Sequence, residues 1–149
     1  MLKKLLTALF IDKSLKDDIA FLKTVPLFKG LNDRSLSKIA IIIYKKTYQE
    51  GESVYEPSQE ANLLYIVRSG EINIDCHGQK SSMEEGSFFG ELSLIELKKH
   101  EGNAKAVKDS HLYLIYRVKF DDLIESNAHI GLKIIKNLAK ILALRIQCV

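Results

Sequence analysis

GSFFGELSLIELKKHEGNAKA, from Gly86 to Ala106, sets two glycines, Gly86 and Gly90, ahead of an apolar turn, Glu91-Leu92-Ser93-Leu94-Ile95, and then runs into a charged loop. A short helix that opens on a glycine leaves N–H groups pointing outward, and such a start suits an anion. The stretch therefore reads as a candidate anion-binding turn.

On either side the pattern is one of short alternating runs separated by turn residues: Thr47-Tyr48, Glu52 to Glu56, Leu63 to Arg68, Glu71 to Cys76, Lys80 to Met83, Asn103 to Val107 and His111 to Tyr116. Short strands at this spacing predict a sandwich or jelly roll. Gly51, Gly70, Gly78 and Gly86 fall at the breaks, where positive φ is cheap for glycine alone.

Helical periodicity brackets the strands. Leu2, Leu5, Leu6 and Leu9 share one stripe beside Lys3 and Lys4, and a second helix is expected from Leu15 to Thr24, ended by Pro26. The first stripe suits docking on its own domain or on a partner subunit better than a membrane surface, because two lysines attract lipid weakly. Asn32 is placed to cap a third helix carrying Leu36, Ile39, Ala40 and Ile43, and Ile41 to Tyr44 is β-branched enough to be turning into strand. After the strands, Val118 to Ile124 reads as a short helix. Asn127 then caps a long one to about Gln147, with Ile130, Ile134, Leu138, Ile141 and Leu142 on its stripe and Ile135 and Leu144 widening it. Such a broad face has two readings, packing on the strands and pairing with a partner.

The chain of 149 residues with a net charge of +3 is the size of one domain and too weakly basic to argue for nucleic acid. No run approaches the length of a membrane span, and the apolar run at the N-terminus stops at Asp12 without a cleavage site, so a cytoplasmic location is expected. Cys76 and Cys148 are far apart and read as reduced, small apolar residues. His77, His100, His111 and His129 lack ligand spacing along the chain, so no metal is expected; no nucleophile and base motif marks an enzyme.

Three motifs, correctly ordered, resemble the cyclic-nucleotide-binding domain family: Val25-Pro26-Leu27-Phe28 with Gly30-Leu31 before a helix, Leu64-Tyr65-Ile66-Val67-Arg68-Ser69-Gly70-Glu71-Ile72, and Phe89-Gly90-Glu91-Leu92-Ser93-Leu94. The resemblance covers about residues 24 to 147. It implies an α+β fold, an antiparallel β-roll (a double-stranded jelly roll) flanked by N- and C-terminal helices, with residues 1–23 as a helical extension and 24–149 as the domain. By the same resemblance Glu91 would accept from a ribose 2′-hydroxyl, and the backbone from Gly90 through Leu92 to Ser93 would face the phosphate of cyclic AMP or cyclic GMP.

Counted on without a gap, the family's Pro-Arg-small-Ala-Thr run falls on Lys99, His100, Glu101, Gly102 and Asn103, so the phosphate arginine is His100. Imidazole lacks the bidentate fork and permanent charge of guanidinium. Glu101 sets a carboxylate beside the phosphate, at a cost on the order of 1 kcal/mol or more. Lys98, Lys99 and Lys105 either supply the missing charge or form a solvated face. Two readings follow: a regulatory module with lost or altered nucleotide affinity that works through protein contacts, or a working cyclic-nucleotide sensor that signals through its last helix. In the gene-regulator branch of the family the long helix is a dimer seam and leads into a DNA-binding segment; the chain ends at Val149, so a homodimer or protein partner through the terminal helices is expected, without DNA binding by that route.

Overall fold

The alternating middle of the sequence folds into antiparallel strands in the computed structural model of the chain, which describes residues 1–146. Two compact units are formed, one by Met1–Ile41 with the chain from Leu123 onward and one by Ile42–Asp122. Among the described residues the middle unit holds β1 (Tyr44–Tyr48), β2 (Ser53–Tyr55), β3 (Glu60–Ala61), β4 (Leu63–Ser69), β5 (Ile72–Cys76), β6 (Gln79–Met83), β7 (Phe88–Phe89), β8 (Lys98–Lys99), β9 (Asn103–Ala106) and β10 (Ser110–Tyr116). One sheet is ordered β1-β10-β4-β7, a second β2-β9-β5-β6, and β3 pairs with β8. Tyr48, Tyr65, Val67, Phe89, Leu112 and Leu114 of the first sheet meet Tyr55, Ile72, Ala104 and Ala106 of the second in one buried cluster. This is the antiparallel β-roll, and the chain is α+β.

Each of the seven alternating runs forms a strand. The three additional strands, β3, β7 and β8, are two residues long, too short for alternation to register. The β-branched run after Leu36 divides, Ile41 ending a helix and Tyr44 beginning β1.

The helical unit contains α1 (Leu2–Leu22), α2 (Asp33–Ile41) and α4 (Ala128–Ile146); α3 (Arg117–Ser126) runs into it from the end of β10. The two helices expected before Pro26 are one. No glycine or proline interrupts residues 10–15, and Lys16 Nζ reaches Asp12 Oδ2 at 2.9 Å across one turn, a pairing that favours continuing the helix. Its leucine stripe is not covered by the described residues: Leu2, Leu5, Leu6 and Leu9 are all exposed. Val25, before Pro26, is extended, and Pro26–Phe28 forms a single 3-10 turn. Asn32 caps α2 as expected, its Oδ1 accepting from the Ser35 N–H at 2.9 Å. Asn127 starts α4 differently. Its carbonyl accepts from Ile130 N–H at 3.0 Å, while its side chain takes the Lys38 ammonium and donates to Leu123 O.

The apolar stripe on α4 also needs correction. Ile130, Ile134 and Leu138 are at most 1% exposed, and Ile141 and Leu142 are half-buried, so most of this face is already covered by the chain itself. Asn137 explains the orientation, because its Nδ2 donates to both Leu27 O and Lys29 O at 2.9 Å and turns this side of α4 toward the Pro26–Phe28 turn. Cys76 is half-buried at the end of β5; Gln147 and Cys148 lie outside the described residues. No described helix is long and apolar enough to cross a membrane.

Gly70 joins β4 to β5 at φ +95°, and a Cβ there would lie 2.2 Å from Ser110 Oγ and 2.6 Å from its Cα. The register slips beside it, His111 facing Ser69 but Leu112 facing Val67, which leaves Arg68 as the extra residue of a bulge. The left-handed backbone alone costs a non-glycine residue about 1–3 kcal/mol. Gly70→Ala is expected to lower unfolding free energy by at least that much, measured by urea titration.

Candidate functional site

Tyr65 of β4 faces Phe89 of β7, and their rings stack at 4.9 Å. The chain must then leave the sheet at once. It does so at Gly90, φ +74°, where a Cβ would come 2.6 Å from Leu63 O. No other residue type fits that approach without displacing β4. The following residues, Glu91–Leu94, form the anticipated short helix, of the 3-10 type and opening on Gly90, tightened by Ser93, whose N–H and Oγ both donate to Gly90 O at 3.0 and 2.6 Å. Glu91 and Ser93 are buried and Leu92 is half exposed.

Beyond β8, His100 is held by its backbone on both sides: its N–H donates to Gln59 O and its carbonyl accepts from Ser58 N–H, each at 2.8 Å. The imidazole lies flat on Tyr55, centroids 3.6 Å apart and planes 5° from parallel. Burial pushes the imidazole pKa below its ordinary value. Glu101 is exposed and directed to His77, with Nε2 and Oε2 3.4 Å apart. Gly102 passes so close to β5 that a Cβ would sit 2.2 Å from Asp75 O, and Asn103 pairs with Asp75 as β9 begins.

A cavity of about 450 Å³ opens beside the stack, lined by Tyr44, Tyr48, Tyr55, Tyr65, Tyr116 and His100, with Lys46, Gln59, Glu60 and Asn62 among its polar groups. Its volume is in the range of small-molecule sites. Of the expected site residues, His100 lines this cavity; Gly90, Glu91, Leu92, Ser93, Glu101, Gly102 and Asn103 do not. Tyr55 connects the two groups. Burial first, then the nearby Cys76 and Glu91, push its phenol pKa up to about 12. Lys98, Lys99 and Lys105 are exposed and outside the lining, and Lys98 pairs with Glu96 at 3.3 Å, so they form a solvated face.

The lining tyrosines went unread in the sequence, although a signal existed. Tyr44, Lys46 and Tyr48 alternate, so one face of β1 carries all three. Cys76 and His77 were likewise missed as neighbours of Glu101, because the separation of 24 positions between His77 and Glu101 conceals the approach.

With this geometry in place, residues 45–127, more than half of the chain, match the family described as Cyclic nucleotide-binding domain. The chain belongs to that family. It is a regulatory, nucleotide-binding family rather than a catalytic one. The Cyclic AMP receptor protein of Thermus thermophilus is 26% identical over 132 residues, 85% of this chain and 59% of its own length. The cAMP-dependent protein kinase regulatory subunit of Aspergillus fumigatus is 31% identical over 108 residues, 70% of this chain but 26% of its own length. The chain thus spans less than two thirds of either relative. The regulatory domain of Toxoplasma gondii PKA, crystallised with cAMP, superposes with a TM-score of 0.74 at 21% identity, covering 89% of this chain and 51% of that one, which shows the shared fold.

The buried phenols of this family member carry a pH signature. Burial raises the pKa values of Tyr48, Tyr55 and Tyr65, so the folded chain keeps protons that the unfolded chain releases near pH 10.0. Their contribution to stability is complete below that value and is lost as pH rises through the folded values. Unfolding free energy is expected to fall between about pH 9 and about pH 11, and Tyr65→Phe to make the fall shallower, as read by urea titration at both.

Proposed function

We propose that the chain is a regulatory module of the cyclic-nucleotide-binding type whose affinity for cyclic AMP and cyclic GMP is lost or altered, and that it acts through protein contacts. The observation that carries this reading is the His100–Tyr55 stack. At the position that corresponds to the family's phosphate arginine, the side chain lies face-on against a core tyrosine. Imidazole has at most two N–H groups at its edge and no fork, and the Glu101 carboxylate follows directly in the chain. A second reading, a working cyclic-nucleotide sensor, draws on the buried Glu91 in its glycine-started turn and on the aromatic cavity.

Calorimetric titration separates the two. Under the first reading cyclic AMP and cyclic GMP bind with dissociation constants above about 1 μM, weaker than about −8 kcal/mol. Sub-micromolar binding of either establishes the sensor instead. His100→Arg combined with Glu101→Ser is expected to raise affinity by about 2–3 kcal/mol, the worth of a charge-assisted fork and relief of repulsion, and Glu91→Ala to undo part of the gain.

For the protein contact we propose a second copy of the chain, paired through the outer side of α4. Leu132, Ile135, Ala139, Leu142 and Ile146 follow one another at alternating steps of three and four, the spacing of a coiled-coil seam. Leu132, Ile135 and Ile146 are 58%, 38% and 70% exposed, so this seam is separate from the covered face of Ile130, Ile134 and Leu138. Residues 1–23 are then an extension to the domain at 24–149. Sedimentation is expected to show a dimer at tens of micromolar, and Ile135→Glu with Leu142→Glu to yield a folded monomer. A monomeric parent chain at that concentration rejects the pairing.

A further inference from the structure

At the tip of the β5–β6 hairpin, the loop after β8 and the hairpin turn bring together three side chains of different chemistry. Cys76 ends β5, and His77 and Gly78 form a two-residue turn, both with positive φ, of 52° and 84°. Gly102 packs its backbone against Asp75 and Cys76, which holds Glu101 opposite that turn. The Sγ of Cys76, a ring nitrogen of His77 and a carboxylate oxygen of Glu101 all lie within 4.8 Å of one another.

We propose that this cluster is a binding site for a divalent, borderline-soft transition metal ion of the zinc type. A thiolate, an imidazole and a carboxylate are the donor set such an ion takes, with bonds of about 2.3, 2.0 and 2.1 Å. In a tetrahedral site those nitrogen and oxygen bonds set their ligand atoms about 3.3–3.4 Å apart. His77 Nε2 and Glu101 Oε2 stand 3.4 Å apart. Cys76 is half-buried while His77 and Glu101 are exposed, so the ion has a path from solvent and a fourth position for water. A thiolate and a carboxylate together would balance the charge of a divalent ion. Binding would tie the hairpin to the loop that bears His100, and it does not depend on whether a nucleotide enters the cavity.

The test uses the full, untagged chain with Cys148→Ser, so that Cys76 is the sole thiol. Zinc is titrated by calorimetry in competition with a chromophoric chelator, and cobalt(II) is used for its thiolate-to-metal absorption. One ion per chain is expected, with the absorption band abolished by Cys76→Ser. Affinity should drop by about tenfold or more in each of Cys76→Ser, His77→Ala and Glu101→Gln. His129→Ala, outside the cluster, should leave it unchanged. The metal should raise the thermal midpoint of the parent and not that of the three variants, whose metal-free midpoints report whether they fold. Absence of binding in the parent overturns the proposal, as does unchanged affinity in folded Cys76→Ser or Glu101→Gln, or a cobalt spectrum without the thiolate band.

Discussion

Tyr55 is the point at which both sheets and the loop after β8 meet. Its ring lies 5.8 Å from Tyr65, 6.2 Å from Phe89 and 3.6 Å from His100, so one side chain from the second sheet touches β4, β7 and the loop. Pairs of this kind contribute about 0.5–1.5 kcal/mol each beyond the area they bury. The Tyr65–Phe89 stack in turn fixes where β7 ends, and the approach of Gly90 to Leu63 O fixes the direction in which the turn leaves. The candidate site is therefore not a loop added to a finished roll. Its walls are the same aromatic rings that hold the two sheets together, and a ligand would have to be accommodated among groups already packed on one another.

Much of this was legible in the sequence. Alternation placed the seven longer strands, the glycines at 51, 70, 78 and 86 all take positive φ, and Asn32 caps the helix it was expected to cap. The Phe89 to Leu94 motif identified the turn and Gly90 as its pivot. These are local properties, decided by the φ that a residue tolerates or by the face on which its neighbours fall.

What the sequence withheld depends on which surfaces meet. The α4 helix carries apolar residues on two sides, Ile130, Ile134 and Leu138 on one and Leu132, Ile135 and Ile146 on another, and periodicity does not say which side its own chain covers. An amide, that of Asn137, settles it. Continuity of α1 was hidden by the polar run from Asp12 to Ser14, which interrupts the apolar stripe of its first turns. The proximity of Cys76 and His77 to Glu101 follows from the pairing of β5 with β9, and neither spacing nor composition records a pairing between distant segments. The cavity was missed for a similar reason, since its five tyrosines come from four strands, β1, β2, β4 and β10, with only Tyr44 and Tyr48 on one strand.

The Asn137 amide has a mechanical consequence. Both of its N–H groups are committed to carbonyls on either side of Phe28, a residue that is itself 2% exposed. It acts as a gear tooth. Rolling α4 by one residue, about 100°, or sliding it by one turn of about 5.4 Å would strip both bonds and leave two carbonyls without their donors. The helix and the Pro26–Phe28 turn must consequently travel as one piece, and α1, which ends four residues before that proline, is coupled to the same movement by a short tether. Torque applied at the last helix is thereby delivered to the first, through a side chain that touches no ligand.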